Sequence, residues 1–274
     1  MSASDQKKII SDDKFLTFKH SGFCGDVVYA IAGIRSLYNK TGKRARLLIR
    51  LDTVADSYPG AIHPQGMVLM NSTSFALLRP LLLAQKCIAE VGVYSGQKVD
   101  ADLDSIREIS IGMPYGNIMR WLFYRFPDMH CDLTEKWLQL FDVYVNAEVK
   151  SSIVVNLTGR FRNPWVDYYF LEKQYTDVPV YFIGLPDEFM RFAKMVPHAK
   201  LMPVNDFNHM AAIIAQCRLF IGNQSLAFAI AEGLKVRRLL EVCPFAPNVI
   251  SSDAQFFDFW KQDALEYYVR VALG

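Results

Sequence analysis

The chain lacks a Cys-x-x-Cys pair, and its five cysteines (Cys24, Cys87, Cys131, Cys217, Cys243) are odd in number and scattered. That argues against a disulfide framework or a thiolate zinc site and reads as core thiols in a reducing compartment. No apolar run approaches the roughly 20 residues that span a bilayer. The densest patch, SFALLRPLLLAQKCIAEVGV, is broken by Arg79, Pro80, Gln85 and Lys86. The first ten residues, MSASDQKKII, lack the long apolar segment of a signal peptide, so a cytoplasmic protein is expected. An excess of one charge is missing too. With 30 basic and 28 acidic side chains the net charge is +2, which gives only weak long-range attraction to nucleic acid or an anionic membrane.

Several catalytic signatures are also absent. There is no G-x-G-x-x-G and no glycine-rich GKS or GKT, which disfavours a nicotinamide dehydrogenase or a P-loop enzyme. His20, His63, His130, His198 and His209 form no HExxH, and no G-x-S-x-G elbow occurs. DADLD at 100–104 is the nearest approach to a carboxylate pair through which a divalent ion bridges a diphosphate, and it reads as a solvated acidic loop. Neither metal nor cofactor is expected.

What is present is core material: 51% of the 274 residues are hydrophobic, with 19 Phe and 13 Tyr, enough for one large domain or two ordinary ones. FLTFK at 15–19 reads as a strand, Val27, Ile31, Ile34 and Tyr38 follow helical spacing, and ARLLIRL at 45–51 reads as the next strand, a βαβ unit in outline. Residues 52–66 read as a loop, MVLMN as a strand, 75–90 as a helix and EKWLQLFDVYV as partly helical. From 151 onward short apolar runs alternate with amphipathic stretches: SSIVVN, VDYYFLEKQY, VPVYFIG, DEFMRFAKMV, KLMPV, FNHMAAIIAQC, RLFIG, SLAFAIAEGL, VRRLLEV. That alternation specifies an α/β fold with doubly wound parallel sheets. The division expected is 1–145 and 146–274, with a helical tail over 253–272 crossing back to the first domain.

In such folds ligands bind at the carboxyl ends of the strands. HSGFCGD at 20–26 lies at such an end; Gly22 and Gly25 permit close approaches, and Asp26 is either a helix N-cap or a catalytic carboxylate. VVNLTGRFRNPW at 154–165 ends a strand in Thr158, Gly159, Arg160 and Arg162, either an ordinary solvated turn or donors for a diphosphate. RLFIGNQS ends in Gly222, Asn223, Gln224 and Ser225 at a helix start suited to an anion, and Glu232 further on either accepts from ribose hydroxyls or is a surface glutamate. Arg120, Trp121, Tyr124 and Arg125 are either packing or a wall facing a second substrate, nucleic acid included.

GDVVYAIAGI and FIGNQSLAFAIAEGL together resemble the first and last signatures of glycosyltransferases with two facing Rossmann-like domains (GT-B), most nearly the ADP-heptose heptosyltransferase-like group. The resemblance spans both halves, while residues 52–140 contribute almost nothing to it. It implies an inverting, metal-independent sugar transfer from a nucleotide diphosphate sugar to an acceptor hydroxyl. Asp26 then matches the base, His20, Gly22 and Gly25 lie on the acceptor side, and Thr158, Gly159, Arg160, Arg162, Gly222, Asn223, Gln224, Ser225 and Glu232 hold the donor. Where the family carries Asp-x-Gly and then a histidine, this chain has Asn223, Gln224, Ser225 and Phe228. A saccharide is the expected acceptor, with a lipid-linked saccharide or nucleic acid as further candidates. The same architecture also suits a nucleotide-sugar epimerase or hydrolase, or a binding scaffold without turnover.

Overall fold

The computed structural model describes residues 6–9, 14–55, 66–109, 116–140, 147–250 and 253–274. His63 and the expected boundary at 145/146 lie outside these residues.

The first half opens with β1 (Phe15–His20), whose alternation buries Leu16, Phe18 and His20. It turns through 21–23 into α1 (Cys24–Thr41), which ends on Gly42 in the left-handed conformation at φ 70°. Next come β2 (Arg44–Ile49), α2 (Ser72–Leu83), β3 (Ile88–Val93) and the two-residue β4 (Ala101–Asp102). All pairings are parallel, in the order β3-β2-β1-β4. The switch in strand order therefore falls between β1 and β4.

Three expectations are corrected here. MVLMN makes only a single bridge, Val68 to Val54. The helix expected over 75–90 starts at Ser72, capped by Asn71, and stops at Leu83, after which β3 begins. DADLD is tied into the fold and only partly solvated: Asp100 accepts from the Thr17 N–H at 2.7 Å, and Asp102 pairs with Lys19 at 2.6 Å.

After a 3-10 turn at Leu103–Glu108, α3 (Ile118–Arg125) buries Met119, Leu122 and Phe123. Trp121 and Tyr124 pack against the same core, and buried Arg125 pairs with Glu108 at 2.5 Å. Packing therefore accounts for most of this segment, while Arg120 stays exposed. Residues 132–140 carry no helix.

The second half contains β5 (Ile153–Asn156), α4 (Tyr169–Gln174), β6 (Val180–Phe182), α5 (Pro186–Ala193), β7 (Lys200–Leu201), α6 (Phe207–Gln216), β8 (Leu219–Asn223), α7 (Leu226–Leu234), β9 (Arg238–Glu241), β10 (Phe256–Phe259) and α8 (Gln262–Leu273). The sheet is parallel in the order β10-β9-β8-β5-β6-β7, so its switch lies between β5 and β8. β5, β8 and β9 are buried along their whole length, as parallel strands covered on both faces must be.

The tail does not cross back. Its first part is β10, and α8 buries Leu265, Val269 and Ala272 in the cluster formed by Ile153, Leu239 and Phe259 of the second sheet. The halves are joined elsewhere. α7 packs on α1 and α6 on α2, so one apolar cluster runs from the first sheet to the second.

Candidate functional site

Both switch points open on one cleft of about 1100 Å³ between the halves. The first turns of α1, α2, α5, α6 and α7 border it, and each brings the partial positive charge of a helix N-terminus.

On the first half, every amide of the turn 21–23 is already used. The Ser21 N–H donates to Asp104 Oδ1 (2.9 Å), the Gly22 N–H to His20 Nδ1 (2.8 Å) and the Phe23 N–H to Asp26 Oδ2 (3.1 Å). This turn therefore presents carboxylates, not amides, to a ligand. Asp26 is not the N-cap; Phe23 holds that place and Asp26 reaches back to it from the third helical position. Its Oδ2 also stands 3.7 Å from Arg107, while Oδ1 accepts no hydrogen bond from a described residue, and Asp26 lines the cleft.

His20 lies 2% exposed behind the turn, does not line the cleft, and is kept neutral by burial, which lowers its pKa against the pull of Asp104. Gly22 is there for space, because a Cβ would come within 2.5 Å of His20 and 2.8 Å of Asp26. Gly25 borders the cleft, its Cα facing the Leu226 backbone at the start of α7. Cys24 is inert, since burial pushes its thiol up to about 12.

On the second half the loop after β5 is shaped by Asn223, fully buried at the end of β8. Its Oδ1 accepts from the Thr158 N–H (3.0 Å) and its Nδ2 donates to the Arg160 carbonyl (2.5 Å). Thr158, Gly159 and Arg160 border the cleft. Arg160 lies between two rings, 4.6 Å from Phe23 and 5.5 Å from Phe161, and Phe161 takes the left-handed φ of 53°. Ser225 caps α7 at the Phe228 N–H (3.3 Å) and donates to Asn156 (2.8 Å).

Four expected donor residues are engaged with other parts of the protein. Arg162 turns from the cleft to Glu241 (2.7 Å), which is buried and also accepts from Tyr168 and the Asn163 N–H. Gln224 borders the cleft but spends its amide on Ala246, Asn248 and the Cys243 N–H, clamping the loop after β9. Gly222 leaves room for Phe220 and the Asn156 carbonyl. Glu232 is 2% exposed, bound to Lys235 (2.5 Å) and Arg238 (2.7 Å), and Arg238 also pairs with Asp253.

Three further cleft residues carry no motif that names them as site residues in the sequence, although 98–118 reads as a loop and strand facing a cleft. Glu188 lines the cleft and accepts from the Gly159 N–H (3.2 Å) and the Leu185 N–H (3.1 Å), with burial pushing its carboxyl up. Its signal was the Leu-Pro-Asp-Glu helix start. Asp104 and Arg107 follow β4, the switch partner of β1, and a two-residue strand leaves no periodic signal. Among the described residues no helix is long and apolar enough to cross a membrane, and no group of three His, Cys, Asp or Glu is placed to hold a metal ion.

Two parallel, switch-containing sheets facing a shared cleft make the fold that of two Rossmann-like domains, as in the GT-B glycosyltransferases. Among solved structures the chain is similar to a glycosyl transferase family 9 protein of Veillonella parvula (11% identity, 97% of this chain and 91% of that one, TM-score 0.54). It is similar also to E. coli heptosyltransferase WaaC with ADP-2-deoxy-2-fluoro heptose (8%, 93% and 99%, TM-score 0.58). E. coli ADP-heptose lps heptosyltransferase II is a third such structure (10%, 94% and 98%, TM-score 0.58). No protein-family model matches the chain, and no curated protein matches it in sequence.

Proposed function

We propose that this protein is a glycosyltransferase that moves a sugar from a nucleotide diphosphate sugar to an acceptor hydroxyl, with inversion and without a metal ion. The observation that carries the reading is Asp26: one oxygen is clamped by the Phe23 N–H, the other accepts no bond from a described residue, and the side chain lines a cleft whose far wall holds Arg160 and the start of α7. In this reading Asp26 takes the proton of the acceptor hydroxyl as its oxygen attacks the anomeric carbon. Charge gathering on the departing diphosphate meets Arg160 and the positive ends of α7 and α1, which supports a metal-free step. A single displacement with one base inverts the carbon and needs no protein nucleophile. The solved relatives named with ADP and ADP-2-deoxy-2-fluoro heptose make an ADP sugar the first donor to try.

The test is calorimetric binding of a panel of nucleoside diphosphates and their sugars, with and without magnesium, followed by acceptor screening. Metal-independent binding and transfer support the reading. Donor consumption without transfer marks a hydrolase or epimerase, and binding without turnover marks a scaffold.

A further inference from the structure

Arg107 reaches Asp26 from the other side of the first switch point. It sits on the 3-10 turn Leu103–Glu108, which β4 anchors against β1 through Phe18↔Ala101 and Lys19↔Asp102. Its guanidinium spans two carboxylates: Nη1 donates to Asp104 Oδ1 at 2.8 Å, and Nη2 stands 3.7 Å from Asp26 Oδ2. Asp104 is a fixed post. It accepts from the Ser21 N–H at 2.9 Å, pairs with Lys19 at 3.3 Å and is mostly buried, while its own N–H is held by Asp102 at 3.0 Å. Lys19, Asp104, Arg107 and Asp26 thus form a row of alternating charge along the cleft wall.

We infer that Arg107, held by Asp104, is a positioning residue for Asp26, fixing Oδ2 so that Oδ1 alone meets the substrate. The inference rests on the transfer reading above. Three features favour it over a plain surface ion pair. A guanidinium fork can engage two carboxylates at a set angle, which a flexible ammonium cannot. All four groups belong to the first half, so the arrangement is kept if the two halves move apart. Asp26 and Asp104 set two carboxylates on the wall that meets an incoming diphosphate, and Arg107 is a cation that bridges them.

The experiment uses the full chain with Arg107→Gln, Arg107→Lys and Asp104→Asn, measuring kcat and KM for transfer, donor Kd by calorimetry and thermal unfolding. Arg107 is partly exposed, so Arg107→Gln is expected to fold as the parent does. The expected result is a fall in kcat of about 10- to 100-fold, the size set by misplacing a catalytic group by about an ångström, with KM and Kd within about threefold. Arg107→Lys should recover part of the loss. Asp104→Asn should reproduce it, and the double variant Arg107→Gln/Asp104→Asn should lose no more than either single one, because the two act as a unit. Full kcat in Arg107→Gln overturns the inference and leaves the transfer reading standing. A rise in KM or Kd with kcat unchanged overturns it in favour of direct substrate binding. No transfer by the parent protein with any donor overturns both.

Discussion

The guanidinium carbon of Arg160 stands 4.6 Å from the centroid of the Phe23 ring, and this contact joins the loop after β5 to the turn before α1 across the cleft. A cation over an aromatic face contributes about 0.5 to 2 kcal/mol, rising as water is excluded. Arg160 is therefore held toward the cleft by the opposite half. Arg160→Ala should weaken nucleoside diphosphate binding by about tenfold or more, as loss of a charge-assisted contact does. Phe23→Leu should weaken it by only about two- to fivefold. Calorimetric titration of both variants decides, and unchanged affinity in Arg160→Ala would make the arginine a clasp between halves and not a phosphate ligand.

Asp26→Asn keeps an oxygen for the Phe23 N–H and removes the capacity to accept a proton. Donor affinity should stay within about threefold while transfer falls about 10²- to 10⁴-fold, the usual range for a general base. Steady-state rates at several pH values check this, and unchanged rates would return Asp26 to the role of a helix-end carboxylate.

Glu232→Ala should unfold the protein more easily without touching the ligand. It strips a buried partner from Arg238 and Lys235, a loss of about 3 to 5 kcal/mol for such groups. Denaturant melts should show this cost, and donor affinity measured well below the midpoint should match the parent. Lost affinity at unchanged stability would put Glu232 back at the ribose.

Asp104 makes stability pH-dependent. Burial opposes its charge, but the imidazolium that His20 becomes in acid, the bonds from Ser21 and the Arg107 guanidinium outweigh it and hold the carboxyl at about 2, below the ordinary 3.8. A folded pKa below the unfolded one stabilises above the unfolded value and is lost as pH falls from about 4 toward 2, because the unfolded chain then binds the proton first. The contribution is about 2 kcal/mol. Thermal melts of Asp104→Asn should therefore lose less between pH 4 and 2 than those of the parent. Parallel acid limbs would sink the assignment.

The second half was legible nearly residue by residue. Each of its inner strands is a short apolar run with turn residues at its end, and burial on both faces makes that run hard to mistake. The first half was less so. β3 carries Glu90 and Gly92 on an edge of the sheet and shows no clean alternation, and β4 is two residues long. Within the site, Asp26, Thr158, Gly159, Arg160 and Ser225 reach the cleft as their strand-end positions implied. Arg162, Glu232 and His20 do not line it, because Glu241, Arg238 and the Gly22 amide claim them first, and Gln224 lines it with its side-chain amide held by loop groups.

The sequence by itself determined that strands and helices alternate, and therefore that polar turns with helix starts gather at the carboxyl ends of parallel strands. Those features follow from local periodicity and turn chemistry, which a short window of residues contains. Which polar groups face the cleft was decided only by the tertiary structure. Strand order places Asp104 and Arg107 beside Asp26 although 78 and 81 positions separate them, and it places Asn223 beneath Thr158 across 65. A carboxylate or guanidinium is spent on whichever partner packing brings within about 3 Å. No local pattern records that choice, since the partner belongs to a strand elsewhere in the chain.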